Sequence, residues 1–394
     1  RGDSNSGKTS ACFPCAISIS SSWDLDQVKK IGVALGEEAQ AKDVDVLLGP
    51  TINIHRHPLG GRHFESFSED PFLTGKIASS YVQGVQSQNV AACLKHFVGN
   101  DTEFERHSIS SNIDEQTLRE IYLLPFEIGV KEGNAKVVMS AYNKLNNIYC
   151  SSHQEILIDI LKKEWGFDGY VVSDWGAALE TEENANGGLD LEMPGPGNVW
   201  GNALIDAIKS KRVAEDLIDD KVKRILSIAE FSKRFDQPEI KNEEAIDNPE
   251  HRKLLRKAAA DGMVLLKNDG MLPLKKDIKK LAIIGPNAKE AQIIGGGSAS
   301  LRPHYQVHPL EAIQKRIGAK TEILYSKGCH THKYLPKINE KLMKSSEGFL
   351  VEYFDGESFD KNLLFQENLI GSKFWVFEGF AKEIIAKEER SKTS

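Results

Sequence analysis

Asp174 is the residue on which the chemistry of this sequence converges. It closes the short run Tyr170-Val171-Val172-Ser173 and is followed at once by Trp175, while the turn-like Gly166-Phe167-Asp168-Gly169 precedes the run. Apolar, β-branched residues between such turns form a strand. A buried strand ending in a carboxylate delivers it to the C-terminal lip of a parallel sheet, where α/β barrels carry out their chemistry. By itself a strand-end aspartate more often caps the next segment, so its neighbours decide. Three further polar clusters each come after an apolar run: Leu59 to Pro71, with Arg62 and Glu65; Lys95-His96-Phe97, with Glu105-Arg106-His107 beyond; and Ser140-Ala141-Tyr142-Asn143. Arg62, Lys95, His96 and Arg106 are donors suited to the hydroxyls of a neutral sugar, and Trp175 offers a face to a pyranose ring. Singly, Lys95-His96 is a solvated loop, Arg62 a partner for Glu65, and Tyr142 a core aromatic. Jointly, clusters at successive strand ends meet on one rim and favour a site.

The elements that must hold this rim alternate along the chain. Val28, Ile31, Leu35 and Ala39 recur at helical spacing, Val44 to Leu48 reads as a strand closed by Gly49-Pro50, and Asp70-Pro71 opens a helix towards Val85. Next along the chain are a strand from Val90 to Leu94, a helix starting near Asp114, a strand from Lys136 to Met139, a helix from Gln154 to Trp165, and the Tyr170 strand. Leu189 to Met193 is a late strand, with helices over Asn202 to Lys209 and Ala214 to Phe231. Short loops between alternating strands and helices imply parallel strands with right-handed crossovers, most of a (β/α)8 TIM-like barrel over residues 1–237. Residues 238–250, charged and aperiodic, read as a linker. A second α/β region, 251–345, opens with a helix to Ala260, the apolar run Met263 to Leu266, a strand from Leu281 to Ile284, and a glycine loop at Gly295-Gly296-Gly297 that lacks dinucleotide spacing. From 346 to 394 the aromatic, β-prone Gly348 to Phe354 reads as the start of a β domain that stops before it could close a sheet, and Ala381 to Ser394 is charged. The chain therefore reads as cut at both ends.

Composition narrows the function. At 394 residues, 40% hydrophobic and with net charge -7, the chain shows no basic footprint for nucleic acid and no polybasic patch for a membrane. It contains no apolar run long enough to span a bilayer and no visible signal peptide, although it begins at Arg1. Five cysteines do not make a disulfide framework and mildly favour an intracellular setting, while Cys12-x-x-Cys15 lacks a second pair at metal spacing. Gly2 to Thr9 fits the P-loop pattern letter for letter. It lacks a preceding strand, and Pro14 interrupts the segment where the phosphate-binding helix would start, so a polar surface loop is expected there rather than a nucleotide site.

The sequence resembles glycoside hydrolase family 3, and within it β-glucosidases with a protective-antigen-type β-sandwich inserted in the second domain. The resemblance rests on Gly60-Gly61-Arg62 with Phe64-Glu65, Lys95-His96-Phe97, Ser140-Ala141-Tyr142-Asn143, Ser173-Asp174-Trp175, and Val264-Leu265-Leu266-Lys267-Asn268. It implies a TIM-like barrel with its first strand missing, an incomplete α/β sandwich, and the start of the inserted sandwich over 346–394. Carried over residue by residue, Asp174 is similar to the family nucleophile. Arg62, Lys95, His96 and Arg106 are similar to residues that hold sugar hydroxyls, Tyr142 to a tyrosine beside the nucleophile, and Trp175 to a subsite wall. The implied partner is a small β-glucoside or oligosaccharide, with no metal or organic cofactor, no nucleic acid or membrane, and a homo-oligomer possible. Gly99-Asn100-Asp101 stands where the family's N-acetylglucosaminidases show Gly-His-Gly, and their later Asp-Ser-His loop has no match. The family's Asp-Gly-Pro segment would lie before Arg1, and its acid/base glutamate beyond Ser394. The rival readings are a non-catalytic carbohydrate-binding protein, another exo-β-glycosidase such as a β-xylosidase, and the P-loop NTPase.

Overall fold

The apolar runs that alternate with helices pair as the rhythm implies. In the computed structural model, which describes residues 7–197, 199–275, 277–331, 349–354 and 362–369, the strands Val46–Leu47, Ala91–Phe97, Val137–Ser140 and Tyr170–Ser173 lie side by side in that order. All three pairings are parallel: Val46 faces Ala91, Cys93 faces Val137, and Val137 to Ser140 face Tyr170 to Ser173 one for one. Single parallel bridges extend the sheet, from Thr51 to Lys95 and from Val172 to Leu191. The late strand expected at Leu189 to Met193 is thus reduced to one bridge. Among the described residues four strands, not eight, form the continuous ladder.

Both faces of the sheet are covered, as a parallel sheet requires. Ala92, Leu94, Val138 and Val171 pack into a large core with Val28, Ile31, Ile77, Val82 and Phe126 from the helices Leu25–Ala41, Pro71–Gln86 and Leu124–Lys131. The alternate residues Ala91, Cys93, Val137, Met139, Tyr170 and Val172 meet Ile225, Ile228 and Phe231 of the helix Glu215–Phe231. Helix starts coincide with their caps. Asp24 accepts from the Gln27 amide at 2.9 Å, and Asp70, before Pro71, accepts from the Leu73 amide at 2.7 Å. The first two of these helices touch backbone to backbone, because a Cβ at Gly84 would strike the Lys29 carbonyl and one at Gly32 the carbonyl of Tyr81.

The N-terminal ends of the strands are tied by charge. Arg234 reaches Asp43 at 3.1 Å and Asp45 at 2.9 Å, Lys136 pairs with Asp168 at 3.1 Å, and Arg224 donates to the carbonyls of Phe167 and Gly169. Deeper, the buried Asp190 accepts from the Lys162 ammonium at 2.7 Å and from the Val171 amide at 2.8 Å. Burial pulls the neighbouring Lys221 down to about 8, against the opposing charge of Asp190.

The chain divides by contact into two units, 1–279 with 289–322, and 280–288 with 323–394. The helix Pro249–Asp261 belongs to the first unit and packs on Leu25–Ala41, with His251 held between Glu37 and Glu38 at 2.7 and 3.2 Å. Met263 to Leu266 is exposed and unpaired among the described residues, because no neighbouring strand is described beside it. Lys280–Ile284 pairs with Glu322–Ser326, and Phe349–Phe354 forms an antiparallel hairpin with Leu363–Leu369. Of the P-loop-like stretch, residues 1–6 lie outside the described residues. Gly7 to Cys15 is not helical, and the first helix, Ala16–Ser20, starts beyond Pro14. The Ala381 to Ser394 tail also lies outside them. Removing the Asp190 carboxylate would leave the Lys162 ammonium buried without its partner. Asp190→Ala is therefore expected to destabilise the first unit by about 3 to 5 kcal/mol, read from urea unfolding followed by fluorescence.

Candidate active site

The ladder carries the functional residues to one end of the sheet. The Asp174 amide donates to the Ser140 carbonyl at 3.2 Å, the Ala141 amide to Phe97 at 2.7 Å, and the Ile52 amide to Lys95 at 2.7 Å. Asp174, His96 and Tyr142 are all buried there, and Arg62, Lys95 and Trp175 are half-buried.

Asp174 is held at one oxygen and open at the other. Its Oδ1 accepts from the Trp175 amide at 2.8 Å, whereas Oδ2 is buried with no hydrogen-bond partner and lies 3.5 Å from His96 Nε2. Trp175 packs against the cluster that contains Met139, Tyr170 and Val172, and its carbonyl accepts the Tyr142 hydroxyl at 2.9 Å. Burial, and then the Asp174 charge, push the Tyr142 phenol well above the usual tyrosine range. The guanidinium of Arg106 stacks over the Tyr142 ring at 4.5 Å, with the His107 ring on its edge at 4.4 Å.

The cations of the rim come with carboxylates. Arg62 binds Glu65 and stands 4.0 Å from Glu103, which in turn binds Arg106 at 2.6 Å, and Arg56 binds the buried Asp101. Burial, opposed mainly by the Glu65 charge, lowers the Lys95 ammonium from the ordinary lysine value. Burial and then Arg62, Lys95 and Arg106 push His96 well below the usual histidine range, so its ring is neutral. Arg62, His96, Asp101 and Glu103, with Asn53 and Asn100, line a narrow recess. Two glycines let its walls approach. A Cβ at Gly60 would overlap the His63 ring, and Gly61 sits at φ 95° with the Glu103 side chain against it.

All seven residues singled out from the sequence therefore gather at one end of the sheet: Arg62, Lys95, His96, Arg106, Tyr142, Asp174 and Trp175. Asn53, Asp101 and Glu103 were not anticipated. For Asn53 a signal existed, since Thr51-Ile52-Asn53-Ile54 alternates polar and apolar residues just past a strand, yet all four are buried. Asp101 and Glu103 gave none, because pairing with an arginine across a loop leaves no periodic trace. Among the described residues no group of three His, Cys, Asp or Glu could hold a metal ion.

Residues 1–228 match the family model described as the glycosyl hydrolase family 3 N terminal domain, and residues 263–389 the one for its C-terminal domain. A beta-glucosidase of Rhizobium radiobacter is 44% identical over 373 residues, 94% of this chain and 45% of the relative. Beta-glucosidase B of Emericella nidulans is 45% identical over 89% of this chain and 42% of its own length. Among solved structures, beta-glucosidase from Kluyveromyces marxianus in complex with glucose aligns at a TM-score of 0.77 and 41% identity, covering 82% of this chain and 40% of that one. Beta-glucosidase 3B from Thermotoga neapolitana in complex with alpha-D-glucose aligns at 0.75 and 39%, over 82% and 45%. The chain spans less than half the length of these relatives.

The coupling between Tyr142 and Asp174 can be measured directly. Asp174→Asn removes the charge that, after burial, does most to hold the phenol un-ionised, so one tyrosine should ionise at lower pH than in the wild type. Ultraviolet difference titration reads this, and superimposable curves would separate the two groups.

Proposed function

This chain belongs to glycosyl hydrolase family 3, and we propose that it carries the nucleophile and the sugar-binding half of a retaining β-glucosidase acting on terminal β-D-glucosyl residues. The observation that carries the reading is Asp174 itself, a buried carboxylate with one oxygen anchored by the Trp175 amide and the other unpartnered beside the His96 ring and near the Arg62, Lys95 and Arg106 cations. Relatives at 44 and 45% identity that are named beta-glucosidases support the same substrate class. In this reading residues 1–237 form the barrel, 238–250 the linker and 251–345 an α/β sandwich. Residues 346–394 begin a protective-antigen-type insertion, consistent with the hairpin at Phe349–Phe354.

Asp174 Oδ2 attacks the anomeric carbon, the leaving oxygen departs, and a glycosyl ester on Asp174 results. Water, giving its proton to the group that had protonated the leaving oxygen, then attacks the anomeric carbon from the face the leaving oxygen left and displaces Asp174, so two inversions keep the configuration. Arg62, Lys95, His96 and Arg106 grip the ring hydroxyls, and the charge-assisted bonds of the three cations tighten as the ring flattens towards an oxocarbenium ion. Trp175 walls the subsite. The proton donor must sit about 5 to 5.5 Å from the nucleophile. We assign it to none of the nearby carboxylates, because Glu65, Glu103 and Asp101 are each engaged by an arginine.

In a full-length protein, a 2-fluoro glucoside should label Asp174, located by peptide mass spectrometry, and Asp174→Ala should abolish turnover. Label on another carboxylate would overturn the assignment. Lys95→Ala and Arg106→Ala should each lower kcat/KM by about 2 to 4 kcal/mol of transition-state binding. Unchanged efficiency would make both residues plain loop charges.

A further inference from the structure

We propose that Asn53 is a positioning residue that locks the His96 imidazole in its Nδ1–H form, so that Nε2 faces Asp174 and the bound sugar as a hydrogen-bond acceptor. Its consequence for catalysis rests on Asp174 being the nucleophile; its geometry does not.

Two main-chain bonds fix the Asn53 amide without ambiguity. Its Nδ2 donates to the His96 carbonyl at 2.9 Å, and its Oδ1 accepts from the His96 amide at 2.8 Å. A carbonyl oxygen cannot donate and a main-chain amide cannot accept, so nitrogen and oxygen cannot be exchanged. The same Oδ1 lies 3.1 Å from His96 Nδ1. Only a protonated Nδ1 can bond to it. The ring, kept neutral by burial and by the three cations near it, holds a single proton. Nε2 is therefore bare, and it lies 3.5 Å from an Asp174 oxygen that itself has no partner. Two lone pairs face each other, and a ligand hydroxyl can place its hydrogen between them.

The groups facing His96 give this tautomer its value. Arg62, Lys95 and Arg106 only donate, and Asp174 is the nucleophile. His96 then supplies an acceptor among donors, so that one hydroxyl can receive from a cation and give to Nε2. Had Nε2 carried the proton, it would bond to Asp174 Oδ2 and occupy the attacking lone pair.

The test labels histidine with nitrogen-15 in the whole chain and reads the ring tautomer from two-bond proton–nitrogen correlations at neutral pH. The chain has 11 histidines, so signals lost in His96→Gln identify the ring. The expected wild-type pattern is a protonated Nδ1 and a bare Nε2. In Asn53→Asp, a carboxylate on Nδ1 should raise the ring's titration midpoint by about 1 to 3 pH units. In Asn53→Ala the proton should pass to Nε2, and in the full-length enzyme kcat should fall by about tenfold or more with KM less affected. A wild-type ring protonated at Nε2, or one doubly protonated at neutral pH, would overturn the inference even if both variants failed to fold. The tautomer is read without ligand or turnover. Loss of the glycosidase reading would therefore show as an inert Asp174 with the Nδ1–H pattern intact.

Discussion

The backbone ladder does not end where the strands do. Past Leu47, Phe97, Ser140 and Ser173, amides continue to meet carbonyls of the neighbouring segment, from Ile52 to Lys95, from Ala141 to Phe97 and from Asp174 to Ser140. Because both faces of the sheet are buried, a slip of one residue would turn every apolar side chain towards the wrong layer, so the register is firmly specified. That register sets the level at which Lys95, His96, Tyr142 and Asp174 emerge. The site is in this sense a product of core packing: Cys93 against Val137 and Val138 against Val171 decide where the carboxylate stands relative to the cations.

Three positive side chains in so small a volume would repel one another strongly if left to themselves. The loops answer this with carboxylates drawn from neighbouring stretches of chain: Glu65 for Arg62, Glu103 for Arg106, and Asp101 for Arg56. Each pair also joins or stiffens a loop, and the Glu103 amide donates to Gly60 at 3.0 Å to knit two loops directly. What remains for a ligand is a set of preorganised donors, one acceptor ring and an uncommitted carboxylate oxygen. That is the polarity a neutral polyhydroxyl ring needs, and a poor match for an anion.

Much of this was legible from sequence where periodicity carries information. The run Tyr170-Val171-Val172-Ser173 became a strand with those very bounds, and Asn202–Lys209 a helix with its expected ends. The helices Leu25–Ala41 and Pro71–Gln86 came from Asp-capped amphipathic stretches. Lys95, His96, Tyr142, Asp174 and Trp175 stood out because they crowd at or just past strand ends. Where contacts depend on loop closure rather than period, the sequence did not give the partner: the alternation from Thr51 to Ile54 marked Asn53 but not its clamp on His96, far along the chain, and nothing marked Glu103, which lies between two loops. In the later region the apolar run Met263 to Leu266 finds no neighbouring strand among the described residues, because pairing needs a partner that local sequence does not supply.

The charges that tie the opposite ends of these strands have a consequence of another kind. Arg234 with Asp43 and Asp45, Lys136 with Asp168, and Arg224 with the Phe167 and Gly169 carbonyls all lie at the N-terminal ends, a full strand length from Asp174. Variation there acts on how many molecules reach the native state, and each molecule that does reach it works at the usual rate. A population carrying such changes would differ in yield per cell and in survival on warming, while the geometry around Asp174 stayed constant. The two ends of one short sheet thus offer selection two separate handles, abundance at the foot and chemistry at the lip.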